Sequence, residues 1–238
     1  MKKTSLYNEH VNLKAKIVDF AGYQMPIQYS GIIQEHLAVR QSCGIFDVSH
    51  MGEFIISGSG ATKFLNEITT NDVSKINEWQ AQYSAMCYED GGIIDDILVY
   101  KYPDHYMLVV NCANIEKNFD WIIANKPENV DFANISSTID LIALQGPKSK
   151  DILSKYADVD LNNIDYYHFC IANICGSTVT LSRTGYTGEL GYEIYADGNA
   201  IKNIWKSLLQ SENQIMPAGL GCRAVSYTHL TLPTIYSV

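Results

Sequence analysis

The 238-residue sequence predicts an α+β protein made of two interlocked halves, each a mostly antiparallel sheet with helices. Three observations point to it. Helical and strand patterns alternate along the whole chain with no Pro/Gly/Ser-rich linker between them. The links between successive strand patterns are too short for parallel crossovers, which need a dozen or more residues. The order strand, helix, strands, helix also occurs twice, the second time after IDLIALQGP. The expected boundaries assign residues 1–50 and 136–223 to one half and residues 51–135 to the other, with residues 224–238 set apart as a non-native tail.

The elements follow from local pattern. IIQEHLAVRQSCG reads as a short amphipathic helix with Ile33 and Leu37 on its apolar side, stopped at Cys43 and Gly44. GEFIISGSG is a strand ending in a turn, and ATKFLNEIT is a helix that puts Phe64, Leu65 and Ile68 on one side. AQYSAMCYEDGGIIDDILVYKYPDHYMLVVN reads as a three-strand meander joined by a DGG turn and a PDH turn. Ile115, Phe119 and Ile122 repeat at helical spacing in the segment that follows. The second half then adds helix PKSKDILSKY, strands in HFCIANICGSTVTLSRTG and GYEIYA, and helix AIKNIWKSLLQ.

The length suits one large or two small domains. With 47% hydrophobic and 18% charged residues, the composition is that of an ordinary globular protein. A net charge of −9 with no clustered Lys or Arg argues against a nucleic-acid partner. The six cysteines include no CxxC pair, which argues against a zinc knuckle and for a reducing compartment. MKKTSLYNEH lacks the apolar core of a secretory signal, and no apolar run reaches a membrane-spanning length. The expected location is therefore the cytoplasm.

GGIIDDILVY, residues 91–100, raises the sharpest chemical question. Side chains on a strand alternate between faces, so Asp95 sits with Ile93, Ile97 and Val99, and Asp96 with Ile94, Leu98 and Tyr100. Each face is apolar apart from one acid, so at least one carboxylate belongs in a partly dry place, where it needs partners. SRTGYTGELGYEIY, residues 182–195, is the second stretch. Its glycines call for a loop against which something packs closely, and neither a dinucleotide fingerprint nor a P-loop is present. Glu193 in it is either an edge-strand acid beside a structural turn or a ligand-facing carboxylate. In DVSHMGEF, residues 47–54, a turn aspartate and a hydrogen-bonded histidine account for Asp47 and His50 better than a catalytic dyad does. QYSAM places Tyr83 on the strand expected to pair with the Asp95–Asp96 strand.

Eight stretches occur in order: DFAGYQMPIQY, EHLAVRQSCGIFDVSHMG, NDVSKI, GGIIDDILVY, LVVNCANIEK, IALQGP, SRTGYTGELGYEI and PAGLGCR. Together they resemble, over residues 5–223, the aminomethyltransferase (T-protein) family of the glycine cleavage system. The resemblance implies a three-domain cloverleaf around a folate hole, of which this chain holds the first two domains. It implies transfer of the methylene of an aminomethyl group, carried on the lipoyl arm of H-protein, to tetrahydrofolate. The products are 5,10-methylenetetrahydrofolate, ammonia and dihydrolipoyl H-protein. Tetrahydrofolate is the co-substrate, lipoylated H-protein the partner, and no metal is called for.

Carried over by position, Asp96 matches the catalytic residue. Met51, Tyr83, Tyr100 and Asn111 match positions lining the pterin and its bridge, and Tyr186 matches a loop tyrosine. Glu193 and Arg223 match substrate-binding positions, and Asp95 is assigned a structural role. The chemistry suits these types. A carboxylate can accept the adjacent N3–H and 2-amino group of a pterin as a bidentate pair. Aromatic walls bury its ring, and a carboxylate in a partly dry pocket can stabilise the cation formed as ammonia leaves.

Two related readings stay open beside this one. A non-catalytic folate-binding module of the iron–sulfur assembly type resembles the same fold but carries a KGCYxGQE-type motif where this chain has RTGYTGELGYE. The folate half of a sarcosine or dimethylglycine oxidoreductase would follow a flavin-binding segment. The end, AVSYTHLTLPTIYSV, departs from the family pattern, which continues after GLGCR as an acid and an amphipathic helix. VSYTHLTLPT resembles a translated transposon-end adapter from a sequencing library. The expectation is a natural gene that runs on past Arg223, and a fragment that exposes apolar surface and has little activity.

Overall fold

The computed structural model describes residues 1–210 and 215–225; the expected non-native tail lies outside them except for residues 224 and 225. The chain opens with α1 (Tyr7–Asn12), β1 (Lys16–Phe20), β2 (Tyr23–Gln28), α2 (Ile32–Gln41), β3 (Cys43–Asp47) and β4 (Gly52–Ser57). It continues with α3 (Ala61–Ile68), β5 (Gln80–Cys87), β6 (Ile93–Lys101), β7 (Tyr106–Val110), α4 (Ile115–Asn125) and β8 (Asp131–Asn134). The last elements are β9 (Asp140–Gln145), α5 (Ser149–Leu153), β10 (Phe169–Ile174), β11 (Ser177–Ser182), β12 (Gly191–Ala196), α6 (Gly198–Leu209) and β13 (Ile215–Pro217). Among the described residues no helix is long and apolar enough to cross a membrane.

The fold is α+β and its sheets are mostly antiparallel, as the sequence predicts. One compact unit comprises residues 1–50, 140–166 and the chain from 170 onward; the other comprises residues 51–139 and 167–169. The first unit holds a β1–β2 hairpin and a six-stranded sheet ordered β10-β11-β12-β9-β3-β13. Strand β13 pairs in parallel with β3, at the sheet's edge. One face of this sheet, carrying Ile45, Ile142, Leu144, Leu181, Tyr192 and Ile194, packs with Ile201, Ile204, Trp205 and Leu208 of α6. Those α6 positions recur at helical spacing, and Asp197 caps the helix by accepting the Asn199 and Ala200 N–H groups.

The second unit is a five-stranded antiparallel sheet ordered β5-β6-β7-β4-β8. Phe54, Ile56, Ile97, Val99, Leu108 and Val110 of its core face pack with Phe64, Leu65 and Ile68 of α3 and Ile122 of α4. The expected faces of α3 and α4 are thus the buried ones.

Helix α2 departs from expectation. Ile33 and Leu37, its predicted apolar side, are 75% and 46% exposed, whereas Glu35, His36 and Val39 are buried. The reason is Glu35, whose Oε1 accepts the N–H groups of Tyr29, Ser30 and Gly31, and whose Oε2 accepts that of Gly219 at 2.8 Å. A buried carboxylate with four backbone donors fixes which way the helix faces. Nor is Gly44 a helix stop. It lies inside β3, where a Cβ would come within 2.5 Å of Val39 Cγ2.

Candidate functional site

In the second unit, β6 separates its two aspartates by burial. Asp95 is 3% exposed and pairs in register with Met86 on the core face. Asp96, opposite Ala85, is exposed. The sequence reading put Asp96 in the partly dry place; the structure puts Asp95 there instead. The cause lies in the segment after β7. Asp95 Oδ2 accepts the backbone N–H of Asn111 at 3.0 Å and Nδ2 of Asn118 at 2.6 Å. Its Oδ1 accepts Nδ2 of Asn111 at 2.9 Å and Nδ2 of Asn114 at 2.6 Å. Each oxygen therefore takes two donors, which is what burial of a carboxylate requires.

Asn111 reaches both acids. Its Nδ2 also lies 3.0 Å from the backbone oxygen of Asp96 and 3.0 Å from Asp96 Oδ1. The hydroxyl of Tyr83, on the neighbouring strand, donates to Asp96 Oδ2 at 3.2 Å. The Asp96 carboxylate thus has a donor on each oxygen while its edge stays open to solvent. Tyr83, Asp96 and Asn111, each matched to the family by position, form one hydrogen-bonded group centred on Asp96. Tyr100, two positions further along the same face as Leu98, is fully buried with Phe169 at 5.1 Å between ring centroids. Met51 is half-buried just ahead of β4.

In the first unit, Glu193 sits in the middle of its sheet, on a strand flanked by β11 and β9. It is 7% exposed, so the edge-strand reading does not hold. Thr184 donates to Glu193 Oε2 at 2.5 Å, and Tyr195 OH does so at 3.4 Å. Ser182 Oγ lies 2.9 Å from Thr184 Oγ1. The single Thr184 hydroxyl proton faces both Ser182 Oγ and the carboxylate, and the contact to the carboxylate is the shorter. The glycine loop begins at Thr184. A Cβ on Gly185 or Gly191 would meet the Gln145 amide at 2.2 Å, so the close neighbour that requires glycine is a side chain of the protein itself. Gln145 Oε1 in turn accepts from Thr187 at 2.8 Å. The loop presents the Tyr186 ring, with the Arg223 guanidinium 4.7 Å from its centroid.

Asp47 and His50 do not form a pair. Asp47 bonds His10 Nε2 at 2.8 Å, Thr4 Oγ1 at 2.6 Å and the Ser49 N–H at 2.9 Å. Burial alone would raise its carboxyl, but these contacts, His10 foremost, hold it below the ordinary range. His50 is 1% exposed, edge-on to Phe20, and its Nδ1 has no hydrogen-bond partner among the described residues. Burial, with the nearby Arg223 charge, pushes its pKa down to about 4, against a smaller opposing effect of Asp47. The unfolded chain takes up this proton near pH 6.5 and the folded chain does not. The histidine's contribution is therefore complete above pH 6.5 and is lost as pH falls toward 4, by about 3 kcal/mol in all. In His50→Gln, the fall in stability between pH 6.5 and 4.5, read by urea denaturation, should be shallower. An unchanged pH slope would contradict this.

Sequence reasoning missed Asn114, Asn118, Thr184 and Gln145. The only available signal was the run of asparagines in NCANIEKN, at the spacing of a helix start.

Comparison with known proteins accords with this geometry. Residues 6–228 match the family described as GCVT N-terminal domain, five residues beyond Arg223. The chain is 51% identical over 227 residues to the aminomethyltransferase of Chloroherpeton thalassium, covering 94% of this chain and 63% of that protein. It is 47% identical over 226 residues to that of Halothermothrix orenii, with the same coverage of each. The crystal structure of glycine cleavage system aminomethyltransferase T from Bartonella henselae superposes with a TM-score of 0.87 at 28% identity, covering 95% of this chain and 62% of that one. A chain of the heterotetrameric sarcosine oxidase from Corynebacterium sp. U-96 shares the fold at a TM-score of 0.52 and 15% identity, over 75% of this chain and 89% of that one. The chain thus spans less than two thirds of the length of the curated relatives it matches. By its sequence and its fold, it belongs to the GCVT N-terminal domain family.

Proposed function

We propose that the protein acts in the glycine cleavage system as a tetrahydrofolate-dependent aminomethyltransferase. The methylene of an aminomethyl group on lipoylated H-protein passes to tetrahydrofolate; ammonia leaves and the lipoyl sulfur is released as a thiol. The observation that supports this best is the exposed Asp96 carboxylate, held on both oxygens by Tyr83 and Asn111. Such a group stabilises positive charge developing at the reacting carbon and nitrogen, and it is placed to hold a proton. Because its donors are already in position, little reorganisation is needed when that charge appears.

Glu193 is assigned to the pterin, accepting the ring N3–H and 2-amino hydrogens, with Thr184 and Tyr195 fixing its Oε2. Tyr186 and Arg223 offer a flat face and a cation, and Met51 and Tyr100 are assigned to the pterin wall. The bacterial relatives and the six free cysteines support a cytoplasmic setting. No metal enters the reading.

Glu193→Gln should weaken tetrahydrofolate binding by about 10-fold or more, since it loses a charge-assisted pair, and should change turnover less. Equilibrium titration checks it, and an unchanged Kd would remove Glu193 from the site. The reaction itself is tested by ammonia release from aminomethyl-loaded H-protein. Release that requires both the protein and tetrahydrofolate is expected. Tight folate binding with no release would favour the non-catalytic folate-binding reading.

A further inference from the structure

We propose that Asp95 is a positioning residue for Asp96, acting through the Asn111 amide; this rests on the reading of Asp96 as the catalytic carboxylate. Asp95 itself is 3% exposed and ringed by asparagine donors, so its own carboxylate is not presented to a ligand. What it does is fix Asn111 at two points, the backbone N–H and Nδ2. Those bonds define which end of the Asn111 amide points at β6. The one Nδ2 hydrogen left over is shared between the backbone oxygen and Oδ1 of Asp96. Without the Asp95 charge, the amide is free to turn over and present its own oxygen to the Asp96 carboxylate. Two acceptors would then face each other, and Asp96 would swing out of its place beside Tyr83. The adjacent aspartates are thus one device: the buried acid sets the amide, and the amide sets the exposed acid.

A merely structural role would look different. Asp95 also bonds Asn114 and Asn118, at the start of α4, so its loss lowers stability whatever happens at Asp96. The test therefore compares variants of the full protein by turnover, KM for tetrahydrofolate, and Tm, using ammonia release from aminomethyl-loaded H-protein. Asp95→Asn puts an NH2 group among asparagine donors and should lower kcat about 10- to 100-fold, the scale of a small misplacement of a catalytic group. KM should stay within about threefold, because the affected interaction belongs to the transition state. Asn111→Ala should lower kcat similarly, and the double variant should be no slower than Asn111→Ala by more than about twofold, as for residues acting in series. Asn114→Ala and Asn118→Ala should lower Tm and leave kcat near that of the unaltered protein.

Wild-type kcat in Asp95→Asn, or independent losses that multiply in the double variant, would overturn the proposal. If Asp95→Asn does not fold, the asparagine series decides: equal kcat losses in Asn111→Ala, Asn114→Ala and Asn118→Ala would mean that Asp95 serves only the helix start. Asp96→Asn is run alongside. An active Asp96→Asn would bring down the catalytic reading and this inference together. An inactive Asp96→Asn beside an unaffected Asp95→Asn would refute the positioning role alone.

Discussion

Asp96→Asn is expected to lower the rate of the proposed methylene transfer by about 100- to 1,000-fold while tetrahydrofolate still binds, the size expected when a preorganised electrostatic group is lost. The substitution is close to ideal for isolating charge. The new amide oxygen can accept from Asn111 Nδ2, which lies 3.0 Å from Asp96 Oδ1. Its NH2 can donate to the Tyr83 oxygen, which lies 3.2 Å from Asp96 Oδ2 and accepts as readily as it donates. Shape and hydrogen-bond count are therefore kept, and only the negative charge is lost. Asp96 is exposed, so the folded state should lose under about 1 kcal/mol. Single-turnover ammonia release, with folate affinity and Tm measured on the same sample, separates these quantities. A full rate in this variant would remove Asp96 from the chemistry.

Gly191→Ala is expected to be a strongly damaging small substitution near Glu193. The new Cβ would lie 2.2 Å from Gln145 Nε2 and 2.3 Å from its Cδ, well inside contact distance. Gln145 is 1% exposed and bonded to Thr187 and to the backbone oxygen of Thr184, so it has nowhere to go. Overpacking of this kind costs about 1–3 kcal/mol, and broken buried hydrogen bonds add to it. In a chain of this size that is a fall in Tm of roughly 5–12 °C. Because β12 carries Glu193 and the loop before it carries Tyr186, folate affinity should fall as well. The mechanism predicts coupling: with Gln145→Ala already present, Gly191→Ala should cost much less than in the native background. Equal losses of Tm in both backgrounds would show that the amide contact is not the cause.

The alternation of apolar residues made the two-sheet α+β architecture and the buried faces of α3 and α4 legible, because those elements are held by apolar periodicity. Helix α2 was not legible for the opposite reason. Its orientation comes from one buried glutamate whose four donors are backbone groups, and backbone groups leave no mark in a sequence. The same limit applied to the paired aspartates. Apolar faces on both sides of β6 required a dry carboxylate but could not say which one. That choice is made by Asn111, Asn114 and Asn118, which lie 16, 19 and 23 residues away in the chain. The glycine loop called for a close neighbour, and only the fold brings in Gln145, about 40 residues upstream in the chain. Tyr83, Asp96 and Asn111 were named from family resemblance, and the structure adds that Tyr83 and Asn111 both bond Asp96.

The most direct test of Asp96 as the catalytic carboxylate is a crystal structure of the full protein with tetrahydrofolate bound. The expected result is an Asp96 oxygen within about 2.6–3.2 Å of N10 or N5, or one water away, with the Asn111 and Tyr83 bonds intact. A folate seated with both nitrogens far from Asp96 and that carboxylate facing only solvent would contradict it.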